Sequence, residues 1–112
     1  MSASRAKGTR AESAVVAYLQ QWNPNVERRA LTGSNDKGDI AGLVGVVIEV
    51  KDHKAISLAQ FVDEAEAEGY NANARVTAAW IKRRGKGSPG DWYVAMTGLQ
   101  FVTLLRDAGY LP

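Results

Sequence analysis

The run Val46-Val47-Ile48-Glu49-Val50-Lys51 constrains this chain more than any other segment. Val46, Val47, Ile48 and Val50 are β-branched, stiff at χ1 and suited to the pleated surface of a strand. Side chains alternate along a strand, so Glu49 and Lys51 share one face, roughly 6.6 Å apart, and Val46, Ile48 and Val50 cover the other. Gly42 and Gly45 bracket a tight turn just before the run. That turn folds Gly38-Asp39-Ile40 back antiparallel, and the even register sets Asp39 beside Glu49.

Two carboxylates and an ammonium on one small surface make a site for a hard divalent cation with a charged helper. Asp39, Glu49, a backbone carbonyl such as that of Val50, and water suit Mg²⁺ or Mn²⁺. With no Cys and a single His, the chain offers no soft-ligand alternative. Such an ion polarises a phosphoryl oxygen and makes hydroxide available near neutral pH. Lys51 beside a scissile phosphate would position the attacking water and stabilise the extra negative charge of the transition state. The same residues also fit an edge strand that carries charges to prevent aggregation.

Four segments occur in order: Lys7-Gly8 with Glu12, Arg29-Ala30 through Gly33-Ser34, Gly38-Asp39-Ile40, and Ile48-Glu49-Val50-Lys51. Together they resemble the PD-(D/E)xK nuclease superfamily, and within it the archaeal Holliday-junction resolvases and related phage resolvases. The resemblance spans residues 5–55, and the remainder only through element order. It implies a restriction-endonuclease-like core, a mixed β-sheet flanked by helices, and metal-dependent hydrolysis of DNA phosphodiesters. It further implies that Asp39 and Glu49 ligate the metal, that Lys51 assists catalysis, and that Glu12 approaches from the first helix. Ser34 falls where such resolvases carry a serine near the active site. Gly38 stands where the superfamily has its Pro, and the segment after Lys51 does not align residue by residue. Two alternatives stay open: a restriction-like or repair nuclease acting on duplex, flap or single-stranded DNA, and a catalytically silent DNA-binding module of the same fold.

The first helix has its own pattern. Ala11, Ala14, Val15, Tyr18, Leu19 and Trp22 recur at three- and four-residue steps and form one apolar stripe, with Glu12 at its edge. Glu12 can therefore look inward at a strand, although Thr9-x-x-Glu12 also reads as a capping box. The whole chain predicts the order αβββαββα. A strand covers 26–31, a loop 32–37 and a hairpin 39–51. Ser57-x-x-Gln60 opens a helix that buries Leu58, Phe61, Val62 and Ala65, turns its acids to solvent and stops at Gly69. Strands at 76–82 and 91–96 flank an irregular Gly- and Pro-rich loop at 83–90. Thr97-x-x-Gln100 opens a last helix with Leu99, Phe101, Val102 and Leu105 as core and Gly109 as its end. Trp80, Trp92 and Tyr93 read as core aromatics rather than base-stacking platforms, and His53 and Gln60 read as lying outside the site.

A chain of 112 residues makes a single nuclease domain, with residues 1–8 expected as a flexible basic arm. The absence of Cys and of an apolar N-terminal segment favours a cytoplasmic, intracellular setting. The longest apolar run, 40–48, falls far short of the roughly 20 residues that span a bilayer. Net charge is +2, but Asp63, Glu64, Glu66 and Glu68 lie in a segment, 57–69, without Lys or Arg, so the remainder carries +6. Its cations, Arg5, Lys7, Arg10, Arg28, Arg29, Lys37, Lys54, Arg83, Arg84 and Lys86, read as a track for DNA phosphates. Four-way junctions must be cut twice, so a homodimer is expected. Phe101, Val102, Leu104 and Leu105 exceed what one side of a helix needs for a small core, which allows part of that helix to lie at the interface.

Overall fold

A computed structural model describes residues 3–29 and 38–112. Its elements are α1 (Ala3–Leu19), β1 (Glu27–Arg28), β2 (Ile40–Ala41), β3 (Val46–Lys51), α2 (Leu58–Asn71), β4 (Val76–Ile81), β5 (Tyr93–Ala95) and α3 (Gly98–Asp107), with one 3-10 turn, Pro89–Asp91, before β5. The class is α/β and the order is αβββαββα. The strand expected over 26–31 is two residues long within the described part, and the loop at 32–37 lies outside the described residues.

β3, β4 and β5 form a mixed sheet in that order. β3 and β4 are parallel, from Val46 opposite Val76 to Lys51 opposite Ile81, and β5 is antiparallel to β4, with Val94 opposite Trp80. A parallel pair needs a long crossover, and α2 is that crossover. The expected 39–51 hairpin is split between two sheets: β2 pairs with β1, Ile40 opposite Arg28, and meets β3 through the Asp39 N–H, which donates to the Ile48 carbonyl at 3.1 Å.

Helices cover both faces of β3, which explains why its four central residues are buried. Towards α1, Ile48 and Val50 join Ala11, Val15, Val16, Val26, Ile40 and Trp92 in one cluster. On the α2 side, Phe61 and Ala65 pack on Ala79 and Ile81. Trp80 and Trp92 belong to the first cluster's packing, and their indole N–H groups donate to the carbonyls of Pro89 and Lys86 at 3.1 and 2.7 Å. Among the described residues, no helix is long and apolar enough to cross a membrane.

Several local expectations are corrected. α1 starts at Ala3, so residues 3–8 are helical rather than part of a flexible arm, and Thr9 lies inside the helix instead of capping it. Trp22 falls past the end of α1 and is 69% exposed, its ring edge-on to Tyr18 at 5.2 Å. α2 runs two residues beyond Gly69, whose role is close approach. A Cβ there would collide with the Thr77 side chain, so only glycine lets the helix lie this near β4. Ser57 makes no side-chain cap bond, and Leu58 is half exposed.

α2's acids do not all face solvent: Glu68 is buried, Glu64 reaches Lys51 and Glu66 accepts from the Thr97 hydroxyl at 3.3 Å. The largest departure is α3, in which no residue is buried. Leu99, Phe101, Val102 and Leu105 are not core, because α3 attaches through its polar residues. The Gln100 side chain accepts the Thr77 N–H at 3.1 Å, and Asp107 takes two bonds from Arg75, at 2.7 and 2.8 Å.

Candidate functional site

Alternation along β3 builds the site. The Lys82 N–H donates to the Lys51 carbonyl at 2.8 Å, so the odd residues' peptide groups address β4 and the even ones address β2. On that second edge, Asp39 is held between the Arg29 N–H, which donates to its carbonyl at 2.8 Å, and the Ile48 carbonyl. Its carboxyl then reaches along the edge, and Oδ2 accepts the Val50 N–H at 2.7 Å. Gly38 sets this entry at φ +92°, where a Cβ would come within 2.9 Å of a Val47 methyl. Proline, with φ locked near −65°, cannot adopt that angle.

Glu49 is 8% exposed. Its Oε1 lies 3.3 Å from the Lys51 Nζ, and its Oε2 is buried with no hydrogen-bond partner. Burial, and then the charge of Glu49, push the Asp39 carboxyl up to about 8, against the pull of the Val50 N–H; Glu12 adds in the same direction. Near neutral pH Asp39 therefore keeps a proton that a cation would displace. Glu12 stands on α1, with Oε2 accepting from the Arg28 Nε at 3.0 Å. It is not a helix cap.

Lys51 is mostly buried, and its ammonium is shared by Glu49 and Glu64 and sits 5.5 Å from the Phe61 ring centre. Burial works against its charge, but the hydrogen bond it donates to Glu64 and the neighbouring carboxylates outweigh it and raise Lys51 above the ordinary lysine value. The hydrogen bonds of Lys51 and Gln60 hold Glu64 below the usual carboxylate range, and the Gln60 amide donates to Glu64 Oε1 at 3.0 Å.

Glu64 is not legible in the sequence, because α2's acids read as a solvated face. The signal was its position, three residues after Phe61 and next to Ala65, at the edge of the buried stripe. Asp52 is equally hidden in the sequence. Its nearly buried carboxyl lies 3.4 Å from Lys7 and 3.7 Å from Lys82, tying α1 to the end of the sheet.

The expected DNA track is divided. Arg28 pairs with Glu12 and Lys7 with Asp52. Arg83 stands over the Tyr93 ring at 5.2 Å. Arg29 is half-buried, while Arg10, Lys54, Arg84 and Lys86 are exposed. Ser34 and Lys37 lie outside the described residues, as does the side chain of Arg5. His53 is exposed and packs on Phe61 at 4.9 Å.

Among the described residues, no three His, Cys, Asp or Glu side chains come together as a metal-binding group. The donors available for a hard cation are the Asp39 and Glu49 carboxyls and the Val50 carbonyl, which leaves β3 on the same edge as the Val50 N–H. The orphaned Glu49 Oε2 and the raised Asp39 fit such an ion, since one or two carboxylates completed by water and phosphate suffice for Mg²⁺. Comparison with family models, with curated proteins and with solved structures returns no match.

Proposed function

We propose that this chain is a metal-dependent DNA endonuclease of the PD-(D/E)xK type, selective for branched DNA in the manner of Holliday-junction resolvases. The observation that carries this reading is the convergence on β3: Asp39 Oδ2 on the Val50 N–H, Glu49 buried beside it with one oxygen unpartnered, and Lys51 at the same strand end. The αβββαββα order, with α2 crossing between parallel β3 and β4, supports a restriction-endonuclease-like core.

Asp39 and Glu49, with the Val50 carbonyl, would hold Mg²⁺ or Mn²⁺. When bound, the ion supplies Lewis-acid charge beside the scissile phosphate and makes hydroxide accessible near neutral pH. Lys51 contributes a fixed positive charge where negative charge grows in the transition state. Glu64 and Gln60 hold that ammonium, so little reorganisation is needed when substrate arrives. Glu12 adds negative charge that keeps Asp39 basic, and Arg28 anchors Glu12. Exposed Arg10, Lys54, Arg84 and Lys86 offer sequence-independent contacts to the DNA backbone.

The test is direct. Purified protein with Mg²⁺ or Mn²⁺ is offered four-way junction, linear duplex, flap and single-stranded DNA side by side. Preferential, paired incision of the junction is expected. Equal cutting of plain duplex would move the assignment to a restriction-like or repair nuclease, and binding without cleavage would make the chain a silent DNA-binding module.

A further inference from the structure

We propose that the cleft between α2 and α3 binds an uncharged hydroxylated ring, either a free sugar or the ribose of a nucleoside. The cleft measures about 550 Å³, within the range of pockets that enclose small ligands. Helical spacing builds its α2 side: Glu66, Gly69 and Tyr70, then Asn73 just past the helix end, recur at three- and four-residue steps. Gln100 of α3 and Thr77 of β4, which is 3% exposed, complete the lining.

Bonds within the fold fix what these side chains have left to offer. The Gln100 Oε1 accepts the Thr77 N–H at 3.1 Å, which leaves its NH2 as a donor. The Glu66 Oε1 accepts from the Thr97 hydroxyl at 3.3 Å, which leaves Oε2 as an acceptor. Asn73 sits at φ +52°, a left-handed angle that asparagine tolerates. Its N–H donates to the Tyr70 carbonyl at 3.2 Å and the Ala74 N–H to the Gly69 carbonyl at 2.8 Å, so the turn that carries its amide is held by backbone bonds. Among the described residues, no hydrogen bond engages the Asn73 amide, the Tyr70 hydroxyl or the Gln100 NH2.

A carboxylate oxygen, two amides and a phenol together mix donors and acceptors, and a hydroxyl group is both. The carboxylate suits neighbouring hydroxyls in the way acidic residues accept from ribose. Tyr70, 89% exposed, adds an aromatic face for the C–H side of the ring. Other ligand classes fit less well. No lining residue is cationic, and Arg75, beside Ala74, is engaged by Asp107 at 2.7 and 2.8 Å, so phosphates and carboxylates find no counter-charge. An ammonium, which only donates, would face the NH2 groups of Asn73 and Gln100, and an apolar ligand would leave every polar group here unpaired. The inference stands independently of the nuclease reading, since it uses none of the β3 residues.

Backbone amide NMR of the whole chain tests this, with glucose, adenosine, adenosine monophosphate and putrescine each added up to ~20 mM, enough to detect millimolar affinity. Glucose or adenosine should shift the Gly69, Asn73, Thr77 and Gln100 amides saturably. Saturation by adenosine supports the nucleoside source, and saturation by glucose the free sugar. Asn73→Gly keeps the left-handed turn and deletes only the amide, and Tyr70→Ala trims an exposed ring. Each should weaken binding about tenfold, the scale of one hydrogen bond or ring contact, with circular dichroism unchanged. If Asn73→Gly fails to fold, Tyr70→Ala carries the test. No saturation by either glucose or adenosine, tighter binding of adenosine monophosphate or putrescine than of both, or unchanged affinity in the folded variants would each overturn the proposal.

Discussion

β3 and α3 break the usual inside-outside rule in opposite directions. Around β3, the Asp39 and Glu49 carboxyls crowd together beside the Lys51 ammonium, with Glu49 only 8% exposed and Asp39 pushed up to about 8. On α3, the apolar residues face outward and none is buried. Carboxylates and lysines are rarely buried without compensation, and large apolar patches are rarely left open. The difference teaches where each cost arises. At β3 the unfavourable crowding is internal, and in the nuclease reading a bound cation would relieve it. At α3 the cost is an external apolar surface, left open because the polar side of the helix is the one that docks.

The sharpest way to break this contrast is to remove a site carboxylate. Asp39→Asn or Glu49→Gln is nearly isosteric, and each should lower junction cleavage by at least about 100-fold, the scale of losing a preorganised electrostatic group. DNA binding should survive, because removing negative charge does not weaken attraction to phosphate. Cleavage within threefold of the parent would show that the β3 crowding is only structural.

Glu64→Gln should cost less, about 10-fold in cleavage rate, because it loosens Lys51 without removing it. Single-turnover rates measured beside Lys51→Ala decide the matter. If the double variant is no worse than Lys51→Ala alone, Glu64 acts through Lys51; additive losses would give it a separate role.

pH sharpens the same comparison through stability. The Asp39 carboxyl titrates at about 8 when folded, against an ordinary value of 3.8, so the folded state holds the proton more tightly than the unfolded one. Its contribution is fully present below pH 3.8 and is lost as pH rises towards and through 8. Asp39→Asn carries no such proton. Its Tm should therefore gain on the parent as pH rises from 4 to 8, by several degrees at the upper end. A constant gap across that range would mean that Asp39 is not crowded. Saturating Mg²⁺ should shrink the gap if the cation replaces the proton.

The smallest effect is expected in the 83–90 loop. Neutralising Arg83, Arg84 and Lys86 should weaken DNA binding modestly and lower the salt slope by about 2, since Arg83 is already engaged with Tyr93 and the Asp91 carbonyl. Phe101→Glu on α3 should leave that slope unchanged. An unaltered slope in the loop variant would remove the loop from the nucleic-acid surface.

Local rules set much of the architecture. A β-branched run and strict alternation are enough to place Glu49 and Lys51 on one face, because strand periodicity is a property of the backbone and not of its surroundings, whereas Asp39 is set beside them by its contacts with Arg29, Ile48 and Val50 and not by the expected hairpin. The Thr97 cap of α3 is equally local: its hydroxyl accepts the Gln100 N–H at 3.2 Å. By contrast, Gly69 reads as a helix stop, yet it is needed for contact with Thr77, a residue on another element. Glu64 and Asp52 are ordinary surface acids until β3, α1 and β4 bring Lys51, Lys7 and Lys82 to them.

α3 shows the limit most clearly. Its amphipathic pattern is visible in the sequence, and an amphipathic helix is expected to turn its apolar side to the core. Which side actually docks depends on what the sheet offers. Thr77 offers a backbone N–H and Arg75 a guanidinium, and these hold the polar side, leaving Phe101 and Val102 outside. The sequence by itself determined the element order and the alternation on β3 that puts Glu49 and Lys51 on one face. Only the tertiary structure decided the partners of Lys51, the crowding that holds a proton on Asp39 and the direction in which α3 faces. Periodicity is written in neighbours along the chain, whereas burial, ion pairing and pKa depend on groups that only folding brings within a few ångströms.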